Sequence, residues 1–249
     1  MHVEDIEYHV EGRRMVGHLA WGDTTAEKRP AVLLCHEGGG LDDNVKARAE
    51  RLAGLGYVAF ALDYFGDGKQ MPTVEAAMTL LRPIAGDPDL TRRLGFAGLD
   101  VLLAHEATDT DRVAAIGFCF GAAMSLELGR AGADLKAIVG FHPGMGTGRP
   151  EDSGNITGSV LLCVGSADPF ASAEQRLAFE TNMTEAGVAD WTVEVYGGVG
   201  HSFTNPDAGN RGVPSFIYDR RADERSWQSM LRLFAETIGP PPAAQIRNS

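Results

Sequence analysis

The chain has 249 residues, 44% hydrophobic and 22% charged, and Lys+Arg 22 against Asp+Glu 34 gives a formal net charge of -12. That composition excludes a disordered or fibrous chain and supplies enough apolar material for one large core. The acidic balance argues against nucleic acid and anionic membrane surfaces as partners, because both demand a basic footprint.

The opening residues, Met1-His2-Val3-Glu4-Asp5, are polar and acidic, with none of the basic and apolar regions of a secretory signal. Residues 6–10 and 15–21, joined around Glu11-Gly12-Arg13, predict an antiparallel hairpin. From about residue 30, short apolar runs alternate with longer helical patterns, as in parallel βαβ units. Continuous apolar runs mark parallel strands buried on both faces, and 31–35, 57–62, 113–118 and 160–164 fit, with 137–141 and 192–196 as shorter members. Helices are expected over 44–55, 90–106, 122–128, 173–186 and 223–238; Gly56 and Gly187 stop two of them, and Asp87-Pro88 starts another. The Gly- and Asp-rich stretch 63–72 and the stretch 205–221 read as functional loops. The pattern predicts an α/β fold with a mostly parallel sheet, an N-terminal antiparallel hairpin and helices on both faces. It is read as one domain over 1–239, with 240–249 as a loose tail.

Cys35, Cys119 and Cys163 form no disulfide framework and no CxxC pair. The longest nearly apolar run, 113–124, is too short for the ~20 residues that span a bilayer. A cytoplasmic, reducing setting is the expectation, and a monomer is favoured.

Gly117-Phe118-Cys119-Phe120-Gly121 follows an apolar strand and leads into a helix-compatible stretch. That is the strand–turn–helix context of a nucleophile elbow, G-x-S-x-G, with Cys for Ser, and it makes the fold expectation an α/β-hydrolase fold. Residues two before and two after the nucleophile must be nearly free of side chain on so tight a turn, and the helix N-terminus favours a thiolate and an oxyanion. A structural cysteine in a Gly-rich turn is the competing reading. A base oriented by a third group must follow, in the order nucleophile, Asp/Glu, His. Asp168 and His201 stand in that order, each just past a predicted strand. Cys35-His36-Glu37-Gly38-Gly39-Gly40 ends the first long strand, where Gly38 would add an oxyanion N–H to that of Phe120. A carboxylate at Glu37 would repel the developing charge and needs a purpose or a partner.

Together His36-Glu37-Gly38, Gly117-Phe118-Cys119-Phe120-Gly121, Ser166-Ala167-Asp168-Pro169-Phe170 and Gly200-His201-Ser202-Phe203 resemble the dienelactone hydrolase family, a cysteine branch of the α/β-hydrolases. The likeness runs from about Val3 to Ile238 and takes in Ala61-Leu62-Asp63-Tyr64-Phe65-Gly66-Asp67-Gly68. It implies Cys119 as nucleophile, His201 as base, Asp168 as its orienter, and Glu37 as the glutamate that helps generate the thiolate. Family members that grip a substrate carboxylate do so with arginines, one shortly after the catalytic histidine; here Thr204-Asn205-Pro206 follow His201-Ser202-Phe203. Arg211 and Arg82 are the candidates for such a contact, with a surface ion pair as the other reading of each. Tyr64, Phe170, Phe203 and His142 are expected to line an apolar substrate pocket.

The expected activity is hydrolysis of a small ester or lactone, with no metal or organic cofactor. A thioesterase or acyl-transfer enzyme with the same triad is the alternative, ahead of a metal hydrolase using His36, Glu37, His142, Asp168 and His201, and of a non-catalytic reactive-thiol protein.

Overall fold

A computed structural model describes residues 1–23 and 27–240 of the chain. The tail expected over 240–249 therefore lies, past residue 240, outside the described residues. Eight strands form one sheet: β1 (His2–Val10), β2 (Arg13–Trp21), β3 (Arg29–Cys35), β4 (Val58–Leu62), β5 (Thr108–Phe118), β6 (Ala137–Phe141), β7 (Ser159–Gly165) and β8 (Trp191–Tyr196). Their spatial order is β1-β2-β4-β3-β5-β6-β7-β8. β1 pairs antiparallel with β2 and β2 antiparallel with β4, whereas every pairing from β4 across to β8 is parallel. This is an α/β-hydrolase fold with the expected N-terminal hairpin. β1 begins at His2 rather than at residue 6 because it is an edge strand whose first residues pair through the backbone with exposed side chains, so no apolar signal marks them.

The helices are α1 (Asp43–Gly54), α2 (Val74–Ala85), α3 (Pro88–Ala104), α4 (Phe120–Arg130), α5 (Ala173–Glu185) and α6 (Arg220–Thr237). Side chains alternate across the central strands and feed two cores. Ala31, Leu33 and Cys35 of β3 join Leu81 of α2, Leu94 and Leu102 of α3, Met124 of α4 and Phe179 of α5 on one face. Val32 and Leu34 join Leu52 of α1 and Trp227, Met230 and Phe234 of α6 on the other. Cys35 and Cys163 are fully buried members of these cores.

The departure from expectation is α2, which the sequence reading leaves unassigned. Thr73 caps it by accepting from the Ala76 N–H, and Pro83 sits inside its last turn. A proline there masks the pattern, although Val74, Ala77, Met78, Leu81 and Ala85 fall on one helical face. The 63–72 stretch is a loop as expected: Asp63 accepts from the N–H groups of Val16, Phe65, Gly66 and Gly68 and so fastens it to the hairpin.

Candidate active site

β3 lies between β4 and β5, so the chain leaves it to one side and then to the other. Open parallel sheets form a crevice at such a switch point, outside the carboxyl ends of the strands. Glu37 follows β3 and Cys119 follows β5, on its two sides. Cys119 holds φ 54 and ψ -116, a left-handed conformation strained for a residue with a side chain. The flanking glycines permit the turn. A Cβ at Gly117 would stand 2.1 Å from the Gly121 backbone, and one at Gly121 would stand 2.1 Å from the Cys35 carbonyl oxygen. The Cys119 N–H donates to Phe141 O at 3.0 Å. Its side chain makes no capping bond to α4; the Ala122 N–H donates back to Cys119 O at 3.2 Å, and the Phe120 N–H opens the helix next to the thiol.

His201 is held from several directions. Its N–H donates to Ser215 O at 2.8 Å, and its Nδ1 donates to Asp168 Oδ2 at 2.7 Å. Asp168 is fixed in turn by accepting the Phe170 N–H at 2.8 Å. The rings of Phe170, Phe216 and His142 pack around the imidazole at centroid distances of 4.8, 4.9 and 5.1 Å. His201 Nε2 is buried without a hydrogen-bond partner among the described residues, and His201 and Cys119 line one cleft. Burial disfavours charge on this imidazole, but the charge of Cys119 and the bond to Asp168 outweigh it and raise His201 to about 10. His142 responds oppositely: burial first, then the charge of His201, holds it well below the usual range, so it packs against His201 as a neutral ring.

The loop after β3 is braced from behind. Tyr64 stacks on His36 at 3.6 Å and its hydroxyl donates to His36 O at 2.8 Å. Glu37 is buried and its carboxylate accepts from Ser202 Oγ at 2.9 Å, from Asn205 Nδ2, and from Arg211 Nη2 at 3.2 Å. Its hydrogen bonds among the described residues go to this set and not to Cys119. The same Nη2 donates to Asp42 Oδ2 at 3.0 Å. Ser202 itself takes φ 54, one of three site residues with Cys119 and His142 in the left-handed region.

The cleft holds about 350 Å³ and is lined by Glu37, Gly38, Cys119, Phe120, His201 and Arg211 with a larger apolar set. The aromatic residues expected in the pocket separate. Phe170 lines the cleft and is 47% exposed. Tyr64, Phe203 and His142 do not line it: each is fully buried, Tyr64 behind the His36 loop, Phe203 in the core, and His142 bonded through Nε2 to Thr204 Oγ1 at 2.8 Å. Strand-end position put them on the right edge, but their side chains turn inward. The apolar wall comes instead from α2 (Val74, Ala77, Met78, Leu81 and Ala85), with Ala123, Phe216, Gly144 and Gly146. The i, i+3, i+4, i+7 spacing in α2 is the signal that would have found it. Arg211 lines the cleft, and Arg82 lies on the exposed side of α2. Among the described residues no three His, Cys, Asp or Glu converge as a metal-binding group, so the five residues of the metal alternative form no ligand cluster.

The profile of the dienelactone hydrolase family matches residues 17–238. The solved structure named m3DLH is 40% identical with TM-score 0.90, covering 95% of this chain and 98% of that one. The crystal structure of a dienelactone hydrolase-like promiscuous phosphotriesterase from metagenomic libraries is 39% identical with TM-score 0.89, again over 95% and 98%. Protein usf of Aquifex pyrophilus is 27% identical over 245 residues, 94% of this chain and 98% of its own length.

Proposed function

The chain belongs to the dienelactone hydrolase family of hydrolases, and from that premise we propose that it cleaves a small ester or lactone through an acyl-enzyme on Cys119. The observation that carries the reading is the strained elbow at Cys119, which opens onto the same cleft as the unpartnered Nε2 of an Asp168-bound His201.

His201 is the proton partner of the Cys119 thiol. The thiolate attacks the carbonyl carbon. The N–H groups of Phe120 and Gly38 stabilise the oxyanion, and His201 hands its proton to the departing alkoxide. Thioester formation removes the sulfur's negative charge, which is the largest influence raising His201. The imidazole pKa then falls, so after giving up its proton the ring stays neutral with Nε2 open, and it takes a proton from the water that attacks the thioester. Glu37 is the fourth member: its carboxylate is held by Ser202, Asn205 and Arg211, leaving His201 as the main proton partner of the thiol. The cycle calls for no metal or organic cofactor, and a reducing, cytoplasmic setting keeps the thiol intact.

Replacing Cys119 by Ala tests this. Turnover of an activated acetate ester and of a small enol-lactone should fall by about 10³-fold or more, and a folded variant with wild-type activity sinks the proposal. A neutral phosphotriester is the second substrate class to assay. The apolar cleft suits an uncharged electrophile, and a relative 39% identical carries that activity in its name. Matched thioesters belong in the same panel, because the same triad would serve a thioesterase or acyl transfer.

A further inference from the structure

Among the described residues, Arg211 is the only Arg or Lys lining the cleft, yet it is not free to receive a ligand. One nitrogen, Nη2, serves Glu37 Oε1 at 3.2 Å and Asp42 Oδ2 at 3.0 Å. The loop after β3 passes close against it: a Cβ at Gly39 would stand 2.3 Å from this guanidinium. Asp42 is in turn fixed at the head of α1, where its Oδ1 accepts the Val45 N–H at 3.1 Å and leaves Oδ2 for the arginine. Two carboxylates thus share one guanidinium, and the cluster carries a surplus negative charge. Burial and the charge of Glu37 raise Asp42 to about 6, against the opposing pull of the Val45 N–H and Arg211, so it is ionised at neutral pH. The facing wall, from Val74 to Ala85 with Phe170 and Phe216, offers no cation.

We propose that Asp42 is a positioning residue that sets the charge preference of the cleft: by sharing Arg211 with Glu37 it cancels the arginine, so the site accepts uncharged acyl groups and rejects those bearing a carboxylate. An anion entering the cleft loses its hydration and meets an already occupied guanidinium, whereas a neutral acyl group of the same shape loses little. Selectivity here comes from a built-in repulsion as much as from apolar fit. The inference deepens the proposed ester and lactone hydrolysis by naming its substrate class, and it rests on that reading only for the word substrate.

Binding, not turnover, tests it. Phenylacetate and phenylacetamide, nearly equal in shape and differing in charge, are titrated calorimetrically into the wild-type protein and into Asp42→Asn, which can still cap α1. Wild type should prefer the amide. In Asp42→Asn the amide-to-carboxylate affinity ratio should shrink by about tenfold, the size expected for removing one charge a few ångströms away in a partly solvated site. Asp42→Ser also caps and should shift the ratio the same way, which covers a folding failure of the first variant. A wild-type preference for phenylacetate, or a ratio within twofold of wild type in a folded variant, overturns the proposal. A helix-start defect alone would weaken both ligands together and leave the ratio unmoved. Because no bond is broken in the assay, the result is independent of whether Cys119 is the nucleophile.

Discussion

The two walls of the cleft are built by different physics. One side carries the buried Glu37 and His201 and the half-buried Arg211, polar groups each fixed by a named partner. The other is the face of α2 with Phe170 and Phe216, apolar and without a hydrogen-bonding requirement. On the polar side the position of every group decides the charge of its neighbour, so single substitutions should be severe and pH-dependent. On the apolar side shape alone matters, so substitutions should be graded and should change which substrate fits rather than how the bond breaks.

The largest effect should come from striking the polar side at Asp168. Asp168→Asn keeps the shape but removes the charge that orients His201 and stabilises its protonated form, and kcat for an ester should fall by about 10³-fold or more. Steady-state rates on a variant with native circular dichroism check this, and a loss under tenfold would mean that Asp168 only shapes the loop.

A smaller effect, about tenfold per pH unit, sharpens the contrast through the raised His201. Its charged form persists through neutral pH and is lost as pH rises through about 10. Background-corrected kcat/KM for an alkyl ester, whose leaving group needs a proton, should therefore fall above that pH. An aryl ester, whose leaving group departs unprotonated, should show little such limb. In Asp168→Asn, burial is no longer opposed by the Asp168 charge and its charged hydrogen bond, and the limb should move to lower pH. Identical alkaline limbs for the two esters would remove His201 as the general acid.

The smallest effect belongs to the apolar side. Ala77→Phe fills part of the cleft from α2, and kcat/KM for a bulky acyl ester should drop about fivefold while a methyl ester changes little. The alkaline limb should stay where it is in wild type. A shift of that limb would show that the walls are coupled and the contrast is false.

The difference between the walls also explains what could be read from the chain. Cys119, Asp168 and His201 were legible because backbone constraints leave marks in sequence: Gly117 and Gly121 are required by contacts of 2.1 Å, Cys119 directly follows β5, and Asp168 and His201 lie in the turns after β7 and β8. The sheet was legible for the same reason, since strands buried on both faces are continuous apolar runs. The α2 wall was hidden by Pro83 and by lying between a loop and a helix whose start Asp87 and Pro88 mark. Tyr64, Phe203 and His142 were placed at the correct sheet edge but on the wrong side of it, because position after a strand does not fix the direction in which a side chain turns.

By itself, then, the sequence determined the α/β-hydrolase fold, the elbow and the order of its polar partners, all local matters of steric allowance and hydrophobic period. Only the tertiary structure decided that Arg211, 174 positions from Glu37 and 169 from Asp42, would divide one nitrogen between them. Charge pairing across such separations leaves no period and no spacing in the chain. It is set by where the loops after β3 and β8 meet above the sheet.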